Sequence, residues 1–342
     1  MNFYFRISLK AGLGHLFRCV NIAKELRKKK IDSIFILERG TKKLNKFIKK
    51  NVGNVYFIDK KVNLKNEIIQ LEKLLEFSKK KKFFLIDGYN FNLNYQKIIQ
   101  KKVDKLILIS DIPNSLYFCD ILINPGIVDN TKKYKTLVQK KTYIYSGKKY
   151  ILINNFNKKD QVKIKKKRNN FKEIKKVFIS FGGNTNSELI FSSLNALYLS
   201  NFKNVKVYIT ISKDTKLKIP NKFRSQLDIV FLKEIYNLSS YYKICDLAIG
   251  SCGHSTWERS VNMIPSICIN LAKNQNSISN LLLKTKSAFV FRSKNLKFFE
   301  EFLVKKINFL KEKKNYMNYS NKISCLVQKK PLSNLVDKVI KD

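Results

Sequence analysis

Residues 245–259 read CDLAIGSCGHSTWER, and three pieces follow one another in them. Leu247-Ala248-Ile249 is an apolar run of strand length. Gly250-Ser251-Cys252-Gly253 is a loop of small residues. Ser255-Thr256-Trp257-Glu258 then opens a helix, with hydroxyls at its cap and an acid in its first turn. A strand that ends in small residues and feeds directly into a helix is the building unit of a parallel α/β sheet. The same rhythm runs through all 342 residues. In the first half, apolar runs at 3–8, 33–37, 54–58, 83–86, 106–109 and 121–124 predict strands. Apolar residues at helical spacing, such as Leu16, Val20, Ala23 and Leu26 or Ile68, Leu71, Leu74 and Leu75, predict helices among them. The second half repeats the pattern, with strands expected at 177–181, 205–211, 228–231, 247–249, 266–269 and 288–291. A Lys-rich stretch with few apolar anchors separates the halves. The expected architecture is α/β, two Rossmann-like domains facing across a cleft. The N-terminal domain is expected over 1–154, a linker over 155–175, and the C-terminal domain over 176–342. Terminal helices are expected at 297–314 and 333–340, the last of them able to pack back onto the first domain.

The chain carries 69 Lys+Arg against 25 Asp+Glu, a formal net charge of +44. Only eight of the 69 are Arg, and the sequence is crowded with Lys, Asn, Ile, Phe and Tyr, the residues of A/T-dominated codons. Recognition of base edges and phosphates favours the bidentate fork of Arg, which is the scarce residue here. The lysines are scattered in short runs (28–30, 79–82, 165–167), as on a solvated surface. The charge therefore reads as compositional drift and no nucleic-acid partner is expected; a polyanion-binding module is the non-enzymatic alternative. A hydrophobic content of 44% argues against disorder. No apolar run approaches the ~18 residues of a membrane span, and the N-terminus lacks a secretory leader, so a cytoplasmic protein without stable membrane insertion is expected. Six cysteines without a Cys-x-x-Cys pair, and two histidines, argue against a metal site. Four of the cysteines lie in or beside apolar runs and read as small buried apolar residues of a reducing compartment.

Six loops, each following an expected strand, could carry chemistry. Gly12-Leu13-Gly14-His15 lies where the first helix begins. Its glycines, Gly14 among them, let the backbone approach a ligand, and a helix N-terminus keeps His15 neutral and able to accept a proton. The plain alternative is a glycine turn with a surface His. Phe181-Gly182-Gly183-Asn184 holds the same place in the second half, either as a backbone nest for phosphate or as a helix cap. In the loop of residues 250–258, Gly253, His254, Ser255 and Thr256 suit a diphosphate on the helix N-terminus, and Glu258 suits a ribose diol; Glu258 could instead complement the helix dipole. Asn274 and Gln275 are adjacent amides just past another strand, as substrate contacts or as a cap. Asp87-Gly88-Tyr89 and Ser110-Asp111 end two strands of the first half.

Taken together, GLGHLFR (12–18), IDGY (86–89), SD (110–111), CDILINP (119–125), FGGNTN (181–186), CDLAIGSCGHSTWER (245–259) and KNQ (273–275) resemble the UDP-sugar hydrolases of pseudaminic acid biosynthesis. The resemblance runs from Arg6 to about Phe291. It implies a glycosyltransferase-B-like fold and hydrolysis of UDP-2,4-diacetamido-2,4,6-trideoxy-β-L-altropyranose. Water would attack the anomeric carbon with inversion, releasing UDP without metal or cofactor. The family's base falls on His15, its cleft Tyr on Tyr89, its ribose-side Glu on Glu258 and its substrate-binding Asn on Asn274. Three positions depart from the family pattern: Arg6-Ile7-Ser8 lacks an Asp, Gly88 replaces a frequent His, and Asn154 a frequent Arg. A glycosyltransferase of the same fold, using a sugar or lipid acceptor in place of water, is the other enzymatic reading.

Overall fold

The computed structural model describes residues 1–8, 13–38, 40, 42–59, 63–126, 128–153, 158–182, 185–212, 214–233, 235, 238–293, 295–327 and 331–342; of Leu13, Lys43, Lys158 and Asn274 only the backbone is described. These residues form two compact units, one of residues up to 153 together with 331–342, the other of residues 158–327.

The first unit runs β1 (Asn2–Ile7), α1 (Leu13–Lys28), β2 (Asp32–Glu38), α2 (Lys42–Val52), β3 (Asn54–Ile58) and α3 (Leu64–Glu76). It continues through β4 (Lys82–Asp87), α4 (Leu93–Gln100), β5 (Lys105–Ile109), β6 (Ile121–Asn124), α5 (Thr131–Lys135) and β7 (Tyr143–Ser146). All seven strands are parallel, in the order β3-β2-β1-β4-β5-β6-β7. Buried on both faces, the strands are apolar throughout, which is why uninterrupted runs located them. The order reverses between β1 and β4, the switch point at whose carboxyl end such sheets bind ligands.

The second unit runs α6 (Lys158–Asn169), β8 (Lys176–Ser180), α7 (Ser187–Leu199), β9 (Val205–Ile211), α8 (Asn221–Arg224), β10 (Leu227–Lys233), α9 (Ser239–Ile244) and β11 (Leu247–Ser251). It ends with α10 (Ser255–Val261), β12 (Ser266–Ile269), α11 (Asn276–Lys284), β13 (Phe289–Phe291), α12 (Lys297–Lys311) and α13 (Lys313–Ser324). The order β10-β9-β8-β11-β12-β13 places its switch point between β8 and β11. There the two strands approach so closely that a Cβ on Gly250 would lie 2.2 Å from the Ser180 carbonyl oxygen. Only glycine fits that position.

The structure departs from the sequence reading in several places. Residues 158–169, expected as linker, form α6. Its sequence, KKDQVKIKKKRN, has almost no apolar stripe, and the helix is held instead by polar contacts. Arg168, almost wholly buried, donates to the carbonyls of Cys245 (2.6 Å), Tyr242 (2.9 Å) and Asn262 (3.1 Å), and Lys167 pairs with Asp246. The last helix, α14 (Pro331–Lys341), expected within the 176–342 domain, belongs to the first unit. There Leu335, Val336 and Val339 meet Phe3, Ile22, Leu26 and Leu85, and Tyr145 donates to the carboxylate of Asp342. Strand β7, four residues at the sheet edge that pair with β6 alone, was not among the expected strands; its Tyr143 is exposed and its Tyr145 buried. The expected helix at 297–314 is two helices, broken where Glu312 adopts an extended backbone.

Leu335 is buried to within 1%. Leu335→Ala should therefore lower the stability of the first unit by about 2–5 kcal/mol, the usual cost of emptying a buried leucine site, read as a lower midpoint of denaturant unfolding.

Candidate active site

In the first unit, the switch point brings α1 against the end of β4. His15 lies in the first turn of α1 and Asp87 is the last residue of β4. His15 Nδ1 is 2.6 Å from Asp87 Oδ1, across 72 residues of sequence. Arg18, one helical turn beyond His15, donates to the same carboxylate twice, through Nε to Oδ2 (2.6 Å) and Nη2 to Oδ1 (2.5 Å). Its Nη1 donates to Asp111 just past β5 (2.6 Å), and the Cys19 thiol donates to Asp87 Oδ2 (3.4 Å). Burial pushes the Asp87 carboxyl up, but Arg18 and then His15 more than offset this and hold it at about 2. Burial likewise opposes ionisation of Asp111, and Arg18 again wins, keeping that carboxyl below its ordinary range.

His15 Nδ1 lies 2.6 Å from the ionised Asp87 carboxylate and 3.0 Å from Arg18 Nη2, and the ionised carboxylate favours a proton on Nδ1. The neutral ring then carries its lone pair on Nε2, which is how a carboxylate fixes the tautomer of a general base. Tyr89 stands edge-on to the imidazole (centroids 5.1 Å apart, 81°) and donates its hydroxyl to Asp111 Oδ2 at 3.1 Å. Burial, and then Asp111, raise its phenol above the ordinary range, so it remains a donor at neutral pH. Gly14 is exposed, and a Cβ built on it would meet nothing within 4 Å. Among the described residues, no packing demands glycine there. Gly12 lies outside the described residues.

In the second unit the two glycine turns flank the β8/β11 switch point. Gly182 has φ +112°, a left-handed backbone suited to glycine, and nothing lies near its Cβ position. Gly183 lies outside the described residues. Asn186 caps α7, its side chain accepting from Leu189 N at 3.0 Å, so the cap reading of this segment holds. In the other turn the N-cap position is taken by His254 with no side-chain cap bond, and Ser255 is the first helical residue. Gly253, His254 and Ser255 are half-buried.

Thr256, expected as a nucleotide contact, is fully buried: its hydroxyl accepts from Arg259 (2.8 Å) and its N–H donates to the Gly253 carbonyl (3.0 Å). Both of its polar handles are engaged inside the protein, so it shapes the turn. Glu258 is half-buried, and its carboxylate makes no hydrogen bond or ion pair among the described residues. Burial pushes that carboxyl up to about 7 against the pull of Arg259. Lys273–Gln275 form a single 3₁₀ turn, in which Gln275 Oε1 accepts from Leu271 N (3.1 Å). The side chain of Asn274 lies outside the described residues. Among the described residues, no group of three or more His, Cys, Asp or Glu side chains is placed to hold a metal ion, and no helix is long and apolar enough to cross a membrane.

The structure brings Asp87 and Asp111, which the sequence placed in separate candidate loops, to His15: Asp87 as its partner, and Arg18 with Asp111 as the frame behind it. The signal was present in the sequence. Arg18 follows His15 at i+3, and two basic groups on one helix face call for a buried carboxylate.

No protein-family model matches the chain. The uncharacterized protein MJ1062 of Methanocaldococcus jannaschii is 27% identical over 270 residues, covering 77% of this chain and 54% of its own. The chain thus spans about half the length of that relative. Among solved structures, MurG of Acinetobacter baumannii is similar with a TM-score of 0.67 and 13% identity, over 100% of both chains. The glycotransferase of kitacinnamycin follows (0.63, 8% identity, 99% of this chain and 98% of that one), as does a glycosyltransferase of Rickettsia africae (0.61, 12% identity, 100% and 99%). The fold is glycosyltransferase-B-like.

Glu258 has a titration with a definite sign. Its folded value of about 7 stands above the ordinary 4.5. The unfolded chain therefore releases this proton first, and native stability falls as pH rises from 4.5 through 7. Glu258→Gln should leave stability unchanged at pH 4 and raise it by up to about 3 kcal/mol at pH 8, measured by denaturant unfolding at both values.

Proposed function

We propose that the protein hydrolyses a UDP-activated sugar, with UDP-2,4-diacetamido-2,4,6-trideoxy-β-L-altropyranose as the substrate the sequence resemblance favours. The observation that carries the reading is His15, held through Nδ1 by the ionised Asp87 with Nε2 left as the acceptor. Nε2 takes a proton from water as its oxygen bonds to the anomeric carbon. The bond from that carbon to the β-phosphate oxygen breaks, UDP departs with the electron pair, and the configuration inverts. Asp87 stabilises the imidazolium so formed, and Arg18 keeps Asp87 ionised throughout. Tyr89 and Gly14, beside His15 in the first unit, border the reacting sugar.

The nucleotide belongs to the second unit, where backbone at Gly182, Gly183, Gly253, His254 and Ser255 receives the diphosphate. Glu258, whose carboxylate has no protein partner, accepts from the ribose hydroxyls. Diphosphate is a good leaving group when N–H donors meet its developing charge. A second reading, transfer of the sugar to an acceptor, is favoured by the solved structures of like fold, which are named as glycosyltransferases.

A panel of UDP-sugars incubated with the protein alone separates the two. Hydrolysis predicts UDP release without acceptor, and in H₂¹⁸O the label enters the sugar. UDP release only on adding an acceptor would establish transfer, and label in the UDP phosphate would place the attack at phosphorus. His15→Asn should lower kcat by about 10²–10⁴-fold, the worth of a general base, while UDP affinity stays within a factor of about two.

A further inference from the structure

The two carboxylates that Arg18 joins differ in how much of their hydrogen-bonding capacity the protein uses. An ionised carboxylate offers about four lone-pair sites to donors. Asp87, its side chain wholly buried, has them filled. Its Oδ1 faces His15 Nδ1 (2.6 Å) and Arg18 Nη2 (2.5 Å), and its Oδ2 faces Arg18 Nε (2.6 Å) and the Cys19 thiol (3.4 Å). Nothing is left on Asp87 with which to hold a ligand. Asp111 has one donor on each oxygen among the described residues: Arg18 Nη1 on Oδ1 (2.6 Å) and the Tyr89 hydroxyl on Oδ2 (3.1 Å). Its side chain is 26% exposed. Each oxygen therefore keeps room for a further donor.

The loop that carries Asp111 is fixed from behind. Asn124, fully buried at the end of β6, donates through Nδ2 to the carbonyls of Ser110 (2.7 Å) and Asp111 (3.2 Å). The Tyr117 hydroxyl donates to the Ile112 carbonyl (2.7 Å). Three successive carbonyls are thus held by side chains, and Arg18 ties down the carboxylate itself. Asp111 also stands at the reactive centre. One of its donors, Tyr89, is edge-on to the His15 imidazole, and the other, Arg18, lies 3.0 Å from His15 Nδ1. Arg18 keeps the carboxyl below its ordinary range, so at neutral pH Asp111 accepts hydrogen bonds and donates none.

We infer that Asp111 is a specificity-determining residue of this site, a substrate contact that accepts from a hydroxyl or amide N–H of the reacting sugar. The inference rests on the proposed reaction of a nucleotide-activated sugar at His15, and it names the residue that recognises the sugar. A fixed acceptor discriminates because a sugar lacking the matching donor leaves a desolvated charge unpaired.

The rate of UDP release by the full chain tests it, with the UDP-sugar turned over fastest in the panel and with analogues of it that lack one donor group at a time. Asp111→Asn leaves an amide oxygen for Arg18 and puts an N–H₂ where Oδ2 stood, so donor would meet donor. Its kcat/KM should fall by about 10–10²-fold, the worth of one hydrogen bond to a charged group, while UDP affinity stays within about twofold. One analogue should lose a similar factor with the wild type and lose little more with Asp111→Asn, the non-additivity of two changes to one contact. The nitrogen-15 shifts of His15 should be the same in Asp111→Asn as in the wild type. Additive losses for every analogue, an unchanged kcat/KM, or a loss accompanied by an altered His15 tautomer would overturn the inference and leave Asp111 a part of the frame. Asp111→Glu, which keeps the charge beside Arg18 but displaces the oxygens, gives the same cycle if Asp111→Asn does not fold. A wild type that releases UDP from no sugar in the panel would remove the nucleotide-sugar reading itself, and the inference with it.

Discussion

Arg18 lies between two carboxylates, and the first unit's site depends on that placement. Burial opposes the ionisation of Asp87, and to a lesser degree that of half-buried Asp111, and Arg18 more than offsets it at both. With the guanidinium present both are charged, and each then takes a second donor: His15 for Asp87, Tyr89 for Asp111. One cation thereby fixes a tautomer, a ring orientation and the position of a phenol. The Nδ1 of the imidazole is thereby committed to the protein.

The sheet order makes this possible. Each unit reverses its strand order after the first strand, between β1 and β4 in one and between β8 and β11 in the other. Loops on either side of the reversal diverge, leaving room that is closed elsewhere along the sheet edge. The His15 and Asp87 segments flank the first opening; the turns at 181–186 and 252–255 flank the second. The same topology thus places the His15–Asp87 contact at one reversal and a turn tied together by Arg259 at the other.

Much of this was legible in the sequence. Parallel strands read as apolar runs, so twelve of the thirteen strands among the described residues were located; β7, a four-residue edge strand of sequence YIYS, was not. Helix α1 was legible from Leu16, Val20, Ala23 and Leu26, all of which are buried. Helix α6 was not, since lysines dominate it and its anchor is Arg168, a residue whose partners are backbone carbonyls from 74 to 94 residues away. His15 was legible as a residue of chemical interest, but its partner was not. The bond to Asp87 follows from the register of β1 beside β4, which local pattern does not report. Thr256 was misjudged for a related reason: a hydroxyl in a small-residue loop looks available until the buried Arg259 behind it is seen.

The central claim is that Asp87 holds His15 with its proton on Nδ1 and its lone pair on Nε2. Nitrogen-15 NMR of the imidazole side chains tests this directly, with His15→Asn used to assign the resonance. The account predicts that neutral His15 shows a pyrrole-like, protonated Nδ1 and a pyridine-like Nε2, and that Asp87→Asn abolishes this preference. A neutral ring protonated on Nε2 in the native protein, or a tautomer indifferent to Asp87, would contradict it.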